Sequence, residues 1–130
     1  MEIKIGTKGR STGTVTEENT ALAAGSGDLK VFATPFMIAL MENAAANSIT
    51  SFLDEGQSSV GTQISVTHEA ATPVGMKVWA ESQVIAVDGR KVCFNVEAFD
   101  EAGKIGGGTH ERFIIDTEKF MAAAEAKLDK

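Results

Sequence analysis

The chain has 130 residues, 43% of them hydrophobic and 23% charged, which suits one globular domain spanning residues 1–130. A net charge of −6 argues against nucleic-acid binding, because that function needs a basic surface. The charge leaves an anionic small ligand open, since a few local lysines or arginines can contact a phosphate.

Cysteine content and hydropathy bear on the compartment. The single cysteine, Cys93, cannot form an internal disulfide, so an oxidising compartment is not indicated. The opening residues, MEIKIGTKGR, lack the apolar run of a signal peptide, and no stretch approaches the roughly 20 apolar residues of a membrane span. We therefore expect a cytoplasmic protein that has neither a nucleic acid nor a membrane as its partner.

The first half of the chain predicts one strand and one long helix. Residues 10–16, RSTGTVT, can form a strand, and residues 17–30 have no periodic pattern. From Thr34 to about Leu53 the apolar residues follow a helical period. Thr34 is predicted to cap this helix, and Pro35 to occupy its first position, where the missing N–H costs nothing.

In the second half the period changes to two, which is typical of strands. Strands are predicted over residues 60–68, 76–87, 91–99 and 104–116. Asp88-Gly89 is a strong signal for a two-residue hairpin. In the strand that follows, one face carries only apolar side chains, those of Val92, Phe94, Val96 and Ala98. A short amphipathic helix over about residues 117–127 closes the chain.

The order of elements is a strand, a long helix and then four antiparallel strands. Tight turns between successive strands favour a meander, and one buried helix must lie across one face of the sheet. A long central helix wrapped by an antiparallel β-sheet, with a short C-terminal helix, is the α+β hot-dog fold. Because such a sheet has open edges, we expect a homodimer, with a dimer of dimers as the larger alternative.

Glu42 is the unusual residue of the long helix. Ile38, Ala45 and Ile49 lie at helical spacing from it, which places Glu42 on or beside the apolar stripe. An isolated charge in that position is costly unless it is paired. The alternative is an ordinary glutamate at the edge of the stripe, but the apolar residues on both sides make Glu42 a candidate functional carboxylate.

Two histidines and Thr34 are the other polar candidates. His68 ends a predicted strand, where the scaffold holds a side chain that the adjoining loop leaves accessible; a surface histidine is the alternative. His110, in GGGTHERF, shares a face with Arg112 and can equally be an ordinary strand histidine. Eight residues of helix, a rise of about 12 Å, separate Thr34 from Glu42. If both serve one site, that site extends along its ligand or spans two subunits.

Several familiar motifs are missing from the sequence. It contains neither a GxSxG elbow nor a Walker phosphate loop. The glycine run at residues 106–108 lies inside a strand pattern, so it indicates a bulge or a close backbone approach. Two histidines without cysteines or carboxylates at suitable spacing argue against a zinc site, and we expect no cofactor.

Three segments together resemble the fluoroacetyl-CoA thioesterase-like family of hot-dog proteins: FATPFMIALMENAA, VGTQISVTHEAATPVG and GTHERFII. The resemblance covers roughly residues 10–120. Its most specific features are Ala-Thr-Pro leading a helix with a glutamate eight residues after the threonine, and a histidine that ends the following strand.

The resemblance implies a thioesterase that cleaves short-chain acyl-CoA, with CoA entering as part of the substrate. The threonine, glutamate and histidine that the family uses in catalysis match Thr34, Glu42 and His68. A functional glycine and a functional arginine of the family match Gly61 and Arg112, which we expect to contact the substrate. The resemblance also implies a homodimer with its active sites at the subunit interface.

The substrate and the mechanism stay open at this point. The fluorine-selective enzyme of the family has a phenylalanine-bearing lid, whereas residues 17–30 contain no aromatic residue here, so we expect an ordinary short-chain acyl-CoA. Both a covalent acyl-enzyme and direct attack by water are compatible with the sequence. Alternative functions are a non-catalytic acyl-CoA or small-ligand binding protein, and a hot-dog enoyl-CoA hydratase or dehydratase, although the His-Phe-Pro-Gly type of motif is missing.

Overall fold

The structure of the chain, a computed structural model, describes residues 2–129 and combines an antiparallel sheet with one long helix. The strands are β1 (Lys8–Thr14), β2 (Gln57–His68), β3 (Lys77–Asp88), β4 (Lys91–Asp100) and β5 (Gly103–Asp116). The α-helices are α1 (Ala21–Ala24), α2 (Thr34–Ile49) and α3 (Thr117–Glu125). Short 3₁₀ turns lie at Glu17–Asn19, Thr50–Phe52 and Ala126–Asp129.

The sheet order is β1-β3-β4-β5-β2, with every neighbouring pair antiparallel. Strands β3, β4 and β5 form the predicted meander. The meander prediction is wrong for β2, which pairs with β5 and lies at an edge of the sheet. The reason is the connection over residues 69–76, which is too long for a tight turn and crosses the sheet before β3 begins.

The hairpin between β3 and β4 turns one residue later than predicted. Asp88 and Lys91 are paired, which leaves Gly89 and Arg90 as the two-residue loop. Gly89 has φ of 60°, in the left-handed region that glycine reaches without a steric penalty. Gly89 therefore lies in the turn as predicted, but it is the first of the two loop residues rather than the second.

Helix α2 lies against the concave face of the sheet and supplies one side of the core. Its fully buried side chains are Met37, Met41, Ala44, Ala45 and Ile49. They pack against the apolar face predicted for β4, whose members are all buried: Val92, Phe94, Val96 and Ala98. Each large apolar side chain buried in this way contributes about 1.5–3 kcal/mol, so the helix is fixed firmly against the sheet.

The start of α2 differs from the prediction in one respect. The capping position is Ala33, which has extended backbone and makes no side-chain cap, and Thr34 is the first helical residue. Pro35 lies in the first turn, as predicted. The assignment of Thr34 as the cap is wrong because its hydroxyl bonds to a side chain from another element, described below.

The C-terminal helix α3 forms as predicted but buries none of its side chains within the described chain. Among residues 2–129, no helix is long and apolar enough to cross a membrane.

Candidate active site

The glycine run at residues 106–108 lets strand β2 lie very close over strand β5. A Cβ atom at Gly106 would overlap the backbone oxygen of Thr67, and one at Gly108 would overlap the backbone oxygen of Ser65. Since neither backbone oxygen can move aside alone, only glycine permits this approach. The close approach predicted from the sequence is confirmed. It carries His68, paired with Gly106, to the N-terminal end of helix α2.

His68 meets Thr34 at that end. Thr34 Oγ1 lies 2.7 Å from His68 Nδ1. The threonine is exposed at the first position of α2, and the histidine is half-buried at the last position of β2. A hydroxyl within 2.6–3.2 Å of an imidazole nitrogen has the geometry of a nucleophile and its general base. The site also lies at the positive end of the helix dipole, which favours developing negative charge.

The environment of His68 favours its neutral form. Burial lowers the pKa of the imidazole, and the nearby backbone of Ala70 opposes this to a smaller extent. Nε2 is buried and has no hydrogen-bond partner within residues 2–129. Any proton transfer from a hydroxyl or to a leaving group therefore falls to Nδ1, the nitrogen that faces Thr34.

Glu42 lies in a second group of residues, at the flank of the buried helix stripe as predicted. Its Oε2 atom is 2.7 Å from the point where a Cβ atom of residue 61 would stand, and Gly61 leaves that point empty. The same point is 3.2 Å from His110 Cε1 and 3.5 Å from Arg112 Nη1. We call Glu42, Gly61, His110 and Arg112 the Glu42 cluster.

The guanidinium of Arg112 is held mainly by strand β2. Its Nε donates to Ser59 Oγ at 2.9 Å, and its Nη2 donates to the Ser59 carbonyl oxygen at 2.9 Å. Only 8% of the arginine is exposed. Burial lowers its pKa, and the negative charge of Glu42 acts in the opposite direction. Arg112 thus supplies a fixed positive charge next to the carboxylate.

A β-bulge shapes this cluster. The pairing of β2 with β5 shifts between Gly61 and Gln63, so Thr62 has no partner in the ladder. Thr62 instead donates to the Glu111 carboxylate at 2.6 Å. The bulge places Gly61 opposite Arg112 and leaves the Gln63 carbonyl oxygen free to accept from His110.

The structure therefore brings together some of the predicted site residues and separates others. Thr34 contacts His68, and Gly61 and Arg112 lie beside Glu42, but the two groups are separated along α2 by a rise of about 12 Å. A cavity of about 790 Å³ lies elsewhere, between strands β1, β3, β4 and β5, and neither group lines it.

Two members of the site were not identified from the sequence. The sequence around His110 is equally compatible with an ordinary strand histidine, and the face that it shares with Arg112 is the one signal for a place in the site. Ser59 carried no signal, because its contact with Arg112 depends on the long-range register of β2 against β5.

Comparison with known proteins identifies the family. Residues 15–118 match the family described as FlK, fluoroacetyl-CoA-specific thioesterase. The chain belongs to this family. The fluoroacetyl-CoA thioesterase of Streptantibioticus cattleyicolor is 45% identical over 98 residues, which are 75% of this chain and 70% of that protein.

Solved structures of fluoroacetyl-CoA-specific thioesterases and related proteins share the fold. A structure of the fluoroacetyl-CoA thioesterase FlK has a TM-score of 0.92 and 35% identity, covering 98% of each chain. A thioesterase superfamily member from Thermus thermophilus has a TM-score of 0.91 and 30% identity, covering 98% of this chain and 95% of that one. The predicted family and the hot-dog fold are confirmed, and the protein is a thioesterase.

Proposed function

We propose that this protein hydrolyses the thioester of short-chain acyl-CoA with Thr34, Glu42 and His68, at sites shared between the two subunits of a homodimer. Membership of the family supports acyl-CoA thioesterase activity. The single observation that carries the proposal is the 2.7 Å contact between Thr34 Oγ1 and His68 Nδ1. It joins a hydroxyl to a base whose pKa is lowered, so that the base is neutral and ready to accept a proton.

The chemistry follows from this pair. His68 Nδ1 takes the proton of the attacking hydroxyl, which belongs either to Thr34 or to a water that Thr34 positions. The oxygen bonds to the thioester carbon, and the tetrahedral oxyanion is stabilised by backbone N–H groups at the start of α2. The carbon–sulfur bond then breaks, and the proton on His68 passes to the leaving sulfur of CoA. An acyl group carried by Thr34 would be released by water in a second, equivalent cycle.

Glu42 is assigned to the attacking water rather than to the imidazole. The ring nitrogen of His68 that does not face Thr34 is buried, so no external carboxylate can reach it. A carboxylate next to the thioester can instead orient the attacking water and accept its proton.

The distance along α2 is the reason for proposing a shared site. Thr34 and Glu42 of one chain stand about 12 Å apart, which is too far to act on one carbonyl carbon. In a two-fold symmetric dimer, Glu42 of the partner subunit can face the Thr34–His68 pair, and the symmetry then creates two equal sites. Strand β2, which carries both Gly61 and His68, is an edge strand and so is available for an interface.

We assign Arg112 and Gly61 to the surroundings of Glu42 rather than to direct contact with CoA. Arg112 is buried and bonded to Ser59, so we assign it the role of a fixed positive charge that acts on the Glu42 carboxylate across the space left by Gly61. Gly61 leaves the space in front of the Glu42 carboxylate open, and the acyl group or the attacking water can occupy that space.

The segment before α2 supports an ordinary short-chain substrate. It packs beside the helix start, where Ala33 N–H donates to the Asn19 carbonyl oxygen at 3.0 Å and Ala21 N–H donates to that of Val31 at 2.8 Å. No aromatic residue occurs between residues 17 and 30. A substrate that replaces hydrogen by fluorine therefore meets no aromatic ring from this segment.

A panel of CoA esters tests the proposal. We expect release of free CoA thiol from acetyl-, propionyl- and butyryl-CoA, with fluoroacetyl-CoA turned over at a kcat/KM within about tenfold of acetyl-CoA. Glu42→Gln and His68→Ala should each lose at least about 100-fold in kcat. Absence of turnover above background across the panel would contradict the proposed activity, and full activity in both variants would contradict the proposed site. Hydration of an enoyl-CoA, measured in parallel, would indicate the hydratase instead.

A further inference from the structure

His110 is bound to the protein through both of its ring nitrogens. Nδ1 lies 2.7 Å from the carbonyl oxygen of Gln63, and Nε2 lies 3.3 Å from Nη1 of Arg112. The residue is 3% exposed, and its ring stacks on Phe94 with the centroids 5.9 Å apart. It touches neither Thr34 nor His68, so the proposed chemistry gives it no direct role.

The two partners determine where the proton of His110 resides. A carbonyl oxygen can only accept, so the hydrogen is on Nδ1 and is donated to Gln63. Nε2 then keeps its lone pair and accepts from Arg112, whose nitrogens can only donate. A second proton on Nε2 would set two donors and two positive charges against each other. The arrangement is therefore consistent with the neutral ring alone.

Burial of the ring favours this neutral form. Burial, the largest cause, lowers the pKa of His110, and the charge of Arg112 lowers it further. The bond to Gln63 and the charges of Glu42 and Glu111 act in the opposite direction.

With His110 neutral, all three nitrogens of the Arg112 guanidinium are held. Nε and Nη2 donate to Ser59, and Nη1 donates to His110. Nη1 is also the guanidinium nitrogen near the point that Gly61 leaves empty, beside the Glu42 carboxylate. The lone pair on His110 Nε2 therefore fixes the position of Arg112 Nη1, the guanidinium nitrogen on the side of Glu42.

We propose that His110 is a positioning residue, whose unprotonated Nε2 holds the Arg112 guanidinium where its positive charge acts on the Glu42 carboxylate. The proposal rests on the thioesterase site proposed above, because Glu42 is the group that reaches the substrate. His110 acts on the reaction only through Arg112 and Glu42.

Two matched substitutions distinguish the hydrogen bond of His110 to Arg112 from its hydrogen bond to Gln63. In His110→Gln the side-chain amide reaches the position of Nε2 and offers an acceptor to Arg112. In His110→Asn the amide reaches only the position of Nδ1, so it can serve Gln63 but leaves Arg112 Nη1 without a partner. We expect kcat for acetyl-CoA to fall at least about tenfold in His110→Asn and to stay within about threefold of wild type in His110→Gln. KM should change less than kcat in both variants.

A double-mutant cycle distinguishes positioning from a general structural effect. In an Arg112→Gln background the His110→Asn substitution should cause no further loss of kcat, because its only route to the reaction is already broken. A multiplicative loss in the double variant would overturn the proposal, and so would wild-type kcat in His110→Asn. Either result would leave the proposed function standing if the wild-type enzyme still hydrolyses acyl-CoA.

Nitrogen-15 NMR of the imidazole rings tests the proposal without turnover. The chain has only two histidines, so a His68→Ala spectrum assigns the signals of His110. We expect His110 as the neutral tautomer protonated at Nδ1, and a slowly exchanging Nη1–H signal of Arg112 that persists in His110→Gln and weakens in His110→Asn. A tautomer protonated at Nε2, or a charged ring at pH 7, would overturn the proposal even if no acyl-CoA were hydrolysed.

Discussion

Oγ1 of Thr34 lies 2.7 Å from Nδ1 of His68, and this contact stands in place of a helix cap. Helix α2 begins after Ala33 without any side-chain cap, although a threonine suited to that purpose is the next residue. A missing cap of this kind typically costs about 1 kcal/mol. The start of α2 is thus less stable than a capped one, and the Thr34 hydroxyl bonds to the imidazole of His68 instead.

Replacing Thr34 tests whether the hydroxyl is needed. Thr34→Val keeps the shape of the side chain but removes the oxygen, and we expect kcat/KM for acetyl-CoA to fall at least about 100-fold. Thr34→Ser keeps the hydroxyl and should stay within about tenfold of wild type. Because the hydroxyl caps no backbone N–H, thermal unfolding should be nearly unchanged in both variants. Loss of less than threefold in Thr34→Val would contradict the role of the hydroxyl.

The pH dependence of kcat/KM tests the role of His68. A general base works only in its neutral form, and burial lowers the pKa of His68 from its ordinary value of 6.5. As pH falls, kcat/KM should therefore decline with a midpoint below pH 6.5. The acid limb should keep its midpoint in His110→Gln, which leaves His68 untouched. A midpoint above pH 6.5 would show that His68 is not the base or is not buried when it acts.

Gly61→Ala tests the space beside Glu42. The new Cβ would stand 2.7 Å from Glu42 Oε2, and the flexible carboxylate rather than the backbone would have to move. We expect kcat to fall at least about tenfold, while the free energy of unfolding changes by less than about 1 kcal/mol. Gly13→Ala is the matched control, since its Cβ would meet only ordinary contacts at 3.8 and 4.0 Å. Equal kcat values for the two variants would remove Gly61 from the site.

Gly108→Ala tests the close approach of β2 to β5. The added methyl group would overlap the Ser65 carbonyl oxygen and lie 2.8 Å from Val66 Cα, so strand β2 itself must shift. We expect a loss of about 2 kcal/mol or more in the free energy of unfolding, measured with urea. At Gly107 the nearest atoms, Lys104 Cε and the Val96 carbonyl oxygen, both lie at 3.1 Å and would not overlap the new methyl group, so Gly107→Ala should cost less. If Gly108→Ala cost no more than Gly107→Ala, the close approach would not be required.

Much of the fold could be predicted from local patterns. The change from a helical period to a period of two located α2 and every later strand, because burial on one face imposes these periods directly. The position of β2 beside β5 could not be predicted in this way. It depends on pairing between residues far apart in the chain, and alternation in one strand does not specify its neighbour.

The site shows the same division between local and long-range information. Glu42 was recognisable because its position on the helix stripe is a local property. The partner of Thr34 lies 34 residues away, so the sequence around Thr34 favoured the local explanation, a helix cap. The bulge at Thr62, which turns the Gln63 carbonyl oxygen toward His110, has no local signal either.

A heterodimer of two inactive variants tests the shared site most directly. One subunit carries His68→Ala and the other Glu42→Gln, each with a different affinity tag, so that the mixed dimer can be purified. If Glu42 of one subunit serves the Thr34–His68 pair of the other, one of the two sites in this dimer contains only wild-type residues. The other site contains both substitutions.

We therefore predict that the purified heterodimer hydrolyses acetyl-CoA at about half the wild-type rate, while each parental homodimer stays at least about 100-fold below it. A wild-type dimer carrying both tags controls for the effect of the tags. A heterodimer no more active than its parents, or a wild-type chain that is active as a monomer, would contradict the shared site.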